Sequence, residues 1–248
     1  MKRRRSPALW AHKTDASPSS RRPIRACPRR GTRASRARGT YLQLLDADDC
    51  LLPTKFERQL RALESAPDAA VCICDYFKSL VAQPYSPVTE AFAPPAIPTR
   101  ENVLTALILD WETRLSIPIH CYLFRRDFLR LLRLRFDPAL PNHEDWDFVV
   151  RLFLDQPRAV FVRDRLAAYC QHDRSMCVNF RALRAGYLAA IDGLRRREDV
   201  PRPVRLLLSR KRSEVIERYG SILGDLSFPR RLLRLSRRVR RRLLGASR

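Results

Sequence analysis

The 248-residue chain contains no Cys-x-x-Cys pair, no His/Cys spacing that fits a structural zinc site and no internal repeat. No apolar run approaches the roughly 18 residues needed to span a bilayer. The N-terminus is basic but lacks the apolar stretch of a secretory signal. The cysteines, at positions 27, 50, 72, 74, 121, 170 and 177, are odd in number and read as reduced thiols of a cytosolic protein. Acidic residues are scarce at both ends of the chain, so the net charge of +23 is unevenly spread.

Residues 1–38 carry +12, residues 39–194 carry −2 and residues 195–248 carry +13. A nucleic-acid-binding domain carries its positive charge on the folded part itself. Here the centre is nearly neutral, and no specific nucleic-acid partner is expected. The basic flanks suit any polyanion, an anionic lipid surface included. An apolar content of 45% is enough for a real core.

Residues 1–38 hold only Leu9, Trp10 and Ile24 as large aliphatic or aromatic residues. Such a segment buries too little apolar surface to offset its ordering entropy, and it reads as disordered. From Tyr41 the character changes. Tyr41–Leu45 reads as a buried strand, and Pro53 opens a helix to about Ser65 with Phe56, Leu60 and Leu63 on one face. Ala69–Cys74 reads as a second strand ending at Asp75, and residues 84–98 as a Pro-rich loop. Then come a helix over Glu101–Trp111, a strand over Ile117–Phe124, a short helix over Arg126–Arg133 and an amphipathic helix after Asn142. Short strands are expected at Ala159–Val162 and Ala167–Tyr169, and helices beyond them. Helices mixed with short buried strands mean an α/β or α+β fold. Near the C-terminus, Phe228–Leu244 spaces apolar residues by three and four among arginines, the pattern of a helix lying on an anionic membrane surface or packing its stripe on the domain.

Three motifs carry candidate chemistry. Asp46-Ala47-Asp48-Asp49 ends a β-type run with three carboxylates among four residues. Carboxylates this close repel one another unless a cation or several donors sit among them. Hard oxygen ligands suit Mg²⁺ or Mn²⁺, ions that usually arrive with phosphates; an Asp-rich turn capping the next helix is the simpler reading. Glu144-Asp145 opens a helix, where carboxylates meet the positive end of the dipole, and either serves as a base or only caps. His172 follows a short strand, as a ligand or a loop hydrogen-bonder.

In this order, "GTYLQLLDADDCLLPTKFERQL", "RFDPALPNHEDWDFVVRLFL" and "LAAYCQHDRSM" resemble the family-2 glycosyltransferases of the GT-A fold, chiefly bacterial ones, from about Gly39 to about Met176. The resemblance implies a partial GT-A (Rossmann-like) α/β domain over 39–180, a disordered basic segment over 1–38 and a helical basic extension over 181–248. It assigns Asp46 and Asp48 to a divalent metal (Mg²⁺ or Mn²⁺) and the diphosphate of a nucleotide-sugar, with Asp48 the direct ligand and Asp49 an extra substrate contact. Asp145 matches the catalytic base of inverting members, which would deprotonate the acceptor hydroxyl as it attacks the anomeric carbon. Glu144 and Trp146 would shape the acceptor side, and His172 would complete the metal or phosphate site. A glycan or lipid-linked acceptor, and a cytoplasmic protein peripheral at the inner membrane face, follow from the same resemblance.

The chain departs from the family at two places. A strand-helix-strand half that binds the nucleoside is expected before the Asp-x-Asp strand, and a βαβ unit needs roughly 30 residues of periodic sequence. The first 38 residues have no strand-like run, so a truncated product of a wrong start or shifted frame is expected. Leu132-Arg133-Leu134-Arg135 also stands where the family usually has Gly before Phe-Asp-Pro. An active enzyme, an inactive remnant, and a basic membrane- or nucleic-acid-binding protein are the readings to separate. Calorimetry with UDP- and GDP-sugars plus Mn²⁺ is expected to show weak or no binding; a micromolar dissociation constant would contradict the truncated reading. Deleting Phe228–Leu244 is expected to abolish flotation with anionic liposomes, and unchanged flotation would rule that helix out as the membrane contact.

Overall fold

A computed structural model describes residues 37–88, 103–171 and 179–226. The expectations for most of 1–38, most of the 84–98 loop, His172 and Phe228–Leu244 lie outside the described residues.

One five-stranded sheet organises the chain. Its strands are β1 (Tyr41–Leu42), β2 (Cys50–Leu51), β3 (Val71–Leu80), β4 (Tyr122–Arg125) and β5 (Ala159–Gln171), in the order β1-β4-β3-β5-β2. β3 and β5 run parallel, and the other pairings are antiparallel. Helix α1 (Lys55–Glu64) covers one face of the sheet. On the other face lie α2 (Val103–Leu109), α3 (Arg126–Leu131), α4 (Glu144–Leu154), α5 (Phe180–Arg196) and α6 (Arg202–Leu226). Side-chain alternation sorts the two cores: Cys72 and Leu123 point to α1, while Ile73, Tyr122 and Phe124 point to the larger core. Together these elements give the α/β class expected.

Several boundaries differ from the sequence reading, each for a local reason. β1 is only two residues long, because from Gln43 the chain turns its amide side chain inward instead of continuing the ladder. Ile119–Cys121 is a turn of 3₁₀ helix after Pro118, not the first part of a strand. β3 runs on past Asp75 to Leu80, because irregularities on both sides of Asp75 re-aim that carboxylate. The same irregularity joins the two expected short strands into β5. Its partners step from Val162 to Arg165 to Ala167, so the exposed Arg163-Asp164-Arg165 stretch lies at the bulge rather than between strands.

On α1 the fully buried ridge is Lys55, Gln59 and Leu63, at i, i+4 and i+8, with Phe56 and Leu60 half-buried beside it. The Lys55 ammonium donates to Gln43 Oε1 and Gln59 Oε1. Gln59 Nε2 donates to the Cys72 and Cys121 carbonyls at 3.1 and 2.9 Å, and Gln43 Nε2 to the His120 carbonyl at 3.0 Å. Burial lowers the Lys55 pKa, opposed by the thiols of Cys74, Cys121 and Cys72. All five described cysteines are free thiols. Helices α5 and α6 bury Tyr187, Ile191, Leu194, Leu208 and Val215 in the same core as the sheet. No helix among the described residues is long and apolar enough to cross a membrane.

Candidate catalytic site

The acidic motif is a closed turn between β1 and β2, with the Asp49 N–H donating to the Asp46 carbonyl at 3.3 Å. Its carboxylates do not share one environment. Asp48 is exposed and Asp46 half-buried, whereas Asp49 is buried. Asp49 Oδ1 accepts from the Cys170 N–H at 2.9 Å, and Oδ2 lies 2.7 Å from His120 Nδ1, off the line of an N–H bond. Both Asp49 oxygens thus face protein groups, and this carboxylate anchors the turn to β5. β5 reaches the turn at Cys170 and Gln171, next in sequence to His172, which lies outside the described residues.

Glu144 and Asp145 are half-buried at the start of α4. Asp145 Oδ1 accepts from the Trp146 N–H at 2.7 Å. Trp146 is fully buried, its indole N–H donating to the Leu107 carbonyl at 2.7 Å and its ring meeting Tyr187 edge-on at 5.0 Å. Trp146 has no exposed surface and anchors α4 in the core.

The segment Ile119–Tyr122 ties the two motifs together. His120, fully buried, faces Asp49. Two residues on, the Tyr122 hydroxyl is buried without a hydrogen-bond partner among the described residues. Burial raises the Tyr122 pKa well above the ordinary range, and Cys121 and the nearby Asp145 carboxylate add to it. The segment thus faces the acidic turn at His120 and runs on into β4, where Phe124 meets Phe148 of the Asp145 helix edge-on at 5.9 Å. Sequence reasoning missed His120 and Tyr122, which sit in no motif; an apolar run with two polar rings two residues apart is the only signal they leave.

Behind α4, Glu112 accepts from His143 Nε2 at 2.8 Å, from Arg218 at 2.6 Å and from the Tyr219 hydroxyl at 2.9 Å. Burial pushes the Glu112 pKa up, but the hydrogen bond and positive charge of His143, the Tyr219 hydroxyl and the Arg218 guanidinium outweigh it and hold it at about 2. Arg133, in the stretch that replaces the family's usual Gly, takes a left-handed backbone with φ 49°. That is a conformation glycine adopts at no steric cost. A cavity of about 520 Å³ lies beside this stretch, with Leu42, Leu44 and Phe136 in its wall and Arg126, Arg130 and Arg133 around it.

Mg²⁺ commonly binds through one or two carboxylates plus substrate phosphates and keeps several waters. Asp46 and Asp48, hard oxygen donors on an outward turn, fit that pattern as a donor set. Among the described residues no group of three or more His, Cys, Asp or Glu is placed to hold a metal.

Residues 30–132, which include the acidic turn, match the sequence profile of Glycosyl transferase family 2. An uncharacterized glycosyltransferase of Haemophilus influenzae is 26% identical over 145 residues, 58% of this chain and 46% of that protein. Among solved structures, residues 1–349 of Staphylococcus aureus TarS in complex with UDP-GlcNAc are similar at a TM-score of 0.51 and 12% identity. The match covers 77% of this chain and 52% of that one, and it supports the GT-A fold. Mannosyltransferase PcManGT of Pyrobaculum calidifontis, in complex with GDP-Man and Mn²⁺, matches at a TM-score of 0.47 and 16% identity, over 84% of this chain and 58% of that one. The chain spans about half the length of the relatives it matches.

Glu112 gives a pH prediction with a defined sign. Its folded pKa of about 2 lies below the ordinary 4.5, so its contribution to stability is complete above pH 4.5 and is lost as pH falls toward 2. The amount is on the order of 3 kcal/mol. Chemical denaturation between pH 5 and about 2 is expected to show a steeper loss for the wild type than for Glu112→Gln; equal slopes would contradict the assignment.

Proposed function

We propose that the chain works in metal-dependent, inverting transfer of a sugar from a nucleotide-sugar to a glycan or lipid-linked acceptor. The observation that carries this reading is that the acidic turn and the helix opened by Asp145 pack on one continuous stretch of chain, His120 facing Asp49 and Phe124 meeting Phe148 edge-on at 5.9 Å. The match to family 2 over residues 30–132 supports it. A nucleotide-sugar of the kind TarS holds, UDP-GlcNAc, is the donor class.

In this reading Asp46 and Asp48 hold Mg²⁺ or Mn²⁺ together with the donor diphosphate, and His172 is the further ligand. The bound ion supplies neutralisation of the charge that grows on the departing diphosphate, a form of electrostatic stabilisation that lowers such barriers effectively. Asp145, half-buried, takes the proton of the acceptor hydroxyl as its oxygen attacks the anomeric carbon. Attack opposite the leaving group inverts that centre. Glu144 faces the acceptor side, and Asp49 keeps the turn in place from beneath through Cys170. In this reading the protein works in the cytoplasm, peripheral at the inner membrane face, a location that the basic amphipathic pattern of Phe228–Leu244 suits.

The test uses the full chain with Mn²⁺ and millimolar UDP-GlcNAc or GDP-mannose, following released nucleotide diphosphate and, by electron paramagnetic resonance, bound Mn²⁺. Asp48→Asn is expected to lose Mn²⁺ binding. Asp145→Asn is expected to keep it and lose turnover by roughly 10²–10⁴-fold, the usual worth of a positioned base. Wild-type turnover in Asp145→Asn would remove Asp145 from the mechanism. Mn²⁺ binding with no turnover of either donor by the wild-type chain would assign a binding module instead of an enzyme.

A further inference from the structure

The corner Asn142-His143, just before α4, is held more closely than a cap requires. His143 has a left-handed backbone, φ 58° and ψ 18°, and caps α4 with no side-chain hydrogen bond to its backbone. A non-glycine residue stays in that region when its surroundings over-determine it. Here they do so from three elements. His143 Nε2 faces Glu112 Oε1 at 2.8 Å, Nδ1 faces Asn142 Oδ1 at 2.6 Å, and the ring stacks on Tyr187 of α5 at 4.2 Å and 12°. Both ring nitrogens thus meet oxygen atoms, which fixes the ring plane from two sides.

Each partner is itself fixed. The Asn142 amide donates to the Ala182 carbonyl of α5 at 2.9 Å, which turns its oxygen toward the ring. Gly186 of α5 leaves the space for that amide: a Cβ at Gly186 would lie 2.0 Å from Asn142 Oδ1. Glu112, also left-handed at φ 59°, gives its second oxygen to Arg218 and Tyr219 of α6, and its carbonyl accepts from Arg218 at 2.8 Å. On the far side of the corner, the His143 carbonyl accepts from the Asp147 N–H at 2.9 Å, the first bond of α4. The Asp145 carboxylate, one residue into that helix, accepts from Trp146 N–H. A continuous run of contacts leads from α6 through Glu112 and His143 to the aim of Asp145.

We infer that Glu112, Asn142, His143, Gly186 and Arg218 are positioning residues for Asp145, so that helices α5 and α6 are part of the working site and not an appendage to it. The inference rests on the reading of Asp145 as the base. An alternative role, general stability alone, would leave the aim of Asp145 unchanged in any variant that folds.

The Trp146 amide reports that aim directly, because its N–H is the donor to Asp145 Oδ1. In ¹⁵N-labelled full chain, Asp145→Ala defines the Trp146 cross-peak with the carboxylate removed. Glu112→Gln and Gly186→Ala are expected to move the peak toward that position by roughly half the displacement or more. A peak within a tenth of that displacement from wild type, in both variants, overturns the inference. If Glu112→Gln does not fold, Arg218→Lys, which keeps the charge but cannot reach both the Glu112 carbonyl and carboxylate, takes its place under the same criterion. With Mn²⁺ and UDP-GlcNAc, the variants are expected to lose about tenfold or more in kcat with the donor KM within twofold, as a misaimed base would. A kcat within twofold of wild type also overturns it. Should Asp145→Ala keep full turnover, it is the base assignment that falls, and the Trp146 peak alone decides whether the corner sets the orientation of residue 145.

Discussion

The buried ammonium of Lys55 is the constraint on which the acidic turn depends. It has no exposed surface, and its hydrogen bonds go to the amide oxygens of Gln43 and Gln59 rather than to a carboxylate. A buried charge is tolerated only when donors and acceptors around it are satisfied. The two glutamines meet that condition and then use their own N–H groups on the carbonyls of Leu44, His120, Cys72 and Cys121. One ammonium thus joins the strand that enters the turn, the helix that leaves it, and the segment that carries His120. Removing either amide would leave the charge short of a partner; loss of Gln43 would free the His120 carbonyl, and loss of Gln59 the neighbouring Cys121 carbonyl.

That arrangement explains why three carboxylates stand together. One is spent as an anchor: Asp49 is turned inward to His120 and Cys170, and the anchor lets Asp46 and Asp48 stand on a rigid turn. A turn held only by its own backbone would follow its solvent. The Asp145 helix is managed by the opposite device, a strained corner. Left-handed residues at Glu112 and His143 face each other across a 2.8 Å contact, and α5 and α6 close around them. The helices that the sequence presents as a basic extension supply Tyr187, Arg218 and Tyr219 to that contact, with their charge mostly turned elsewhere.

The differences between the sequence reading and the structure fall where local pattern and tertiary packing compete. Arg163-Asp164-Arg165 breaks an apolar run, which by periodicity ends a strand, yet a parallel neighbour with a bulge at Asp75 carries the strand through. Lys55 and Gln59 are polar and on periodicity belong outside, yet they form the buried ridge of α1 because the carbonyls they need lie on the sheet. Trp146 follows two acidic residues in a motif-rich stretch and so invites a functional reading. Its burial is legible only once Leu107 and Tyr187 are placed around it.

From the sequence alone came the α/β class, the order of most elements, the family resemblance and the two carboxylate motifs, because hydrophobic periodicity and motif spacing are local properties of the chain. Which carboxylate faces out and which is an anchor was decided only by the fold. Asp46, Asp48 and Asp49 are equal as letters, and they differ because Cys170 and His120, 121 and 71 residues further along the chain, reach just one of them. The same holds for the seat of Asp145, since Glu112, Gly186 and Arg218 have no sequence neighbour in common with it. Long-range hydrogen bonds and steric fit of that kind leave no periodic signal, so only the assembled sheet and its helices could reveal them.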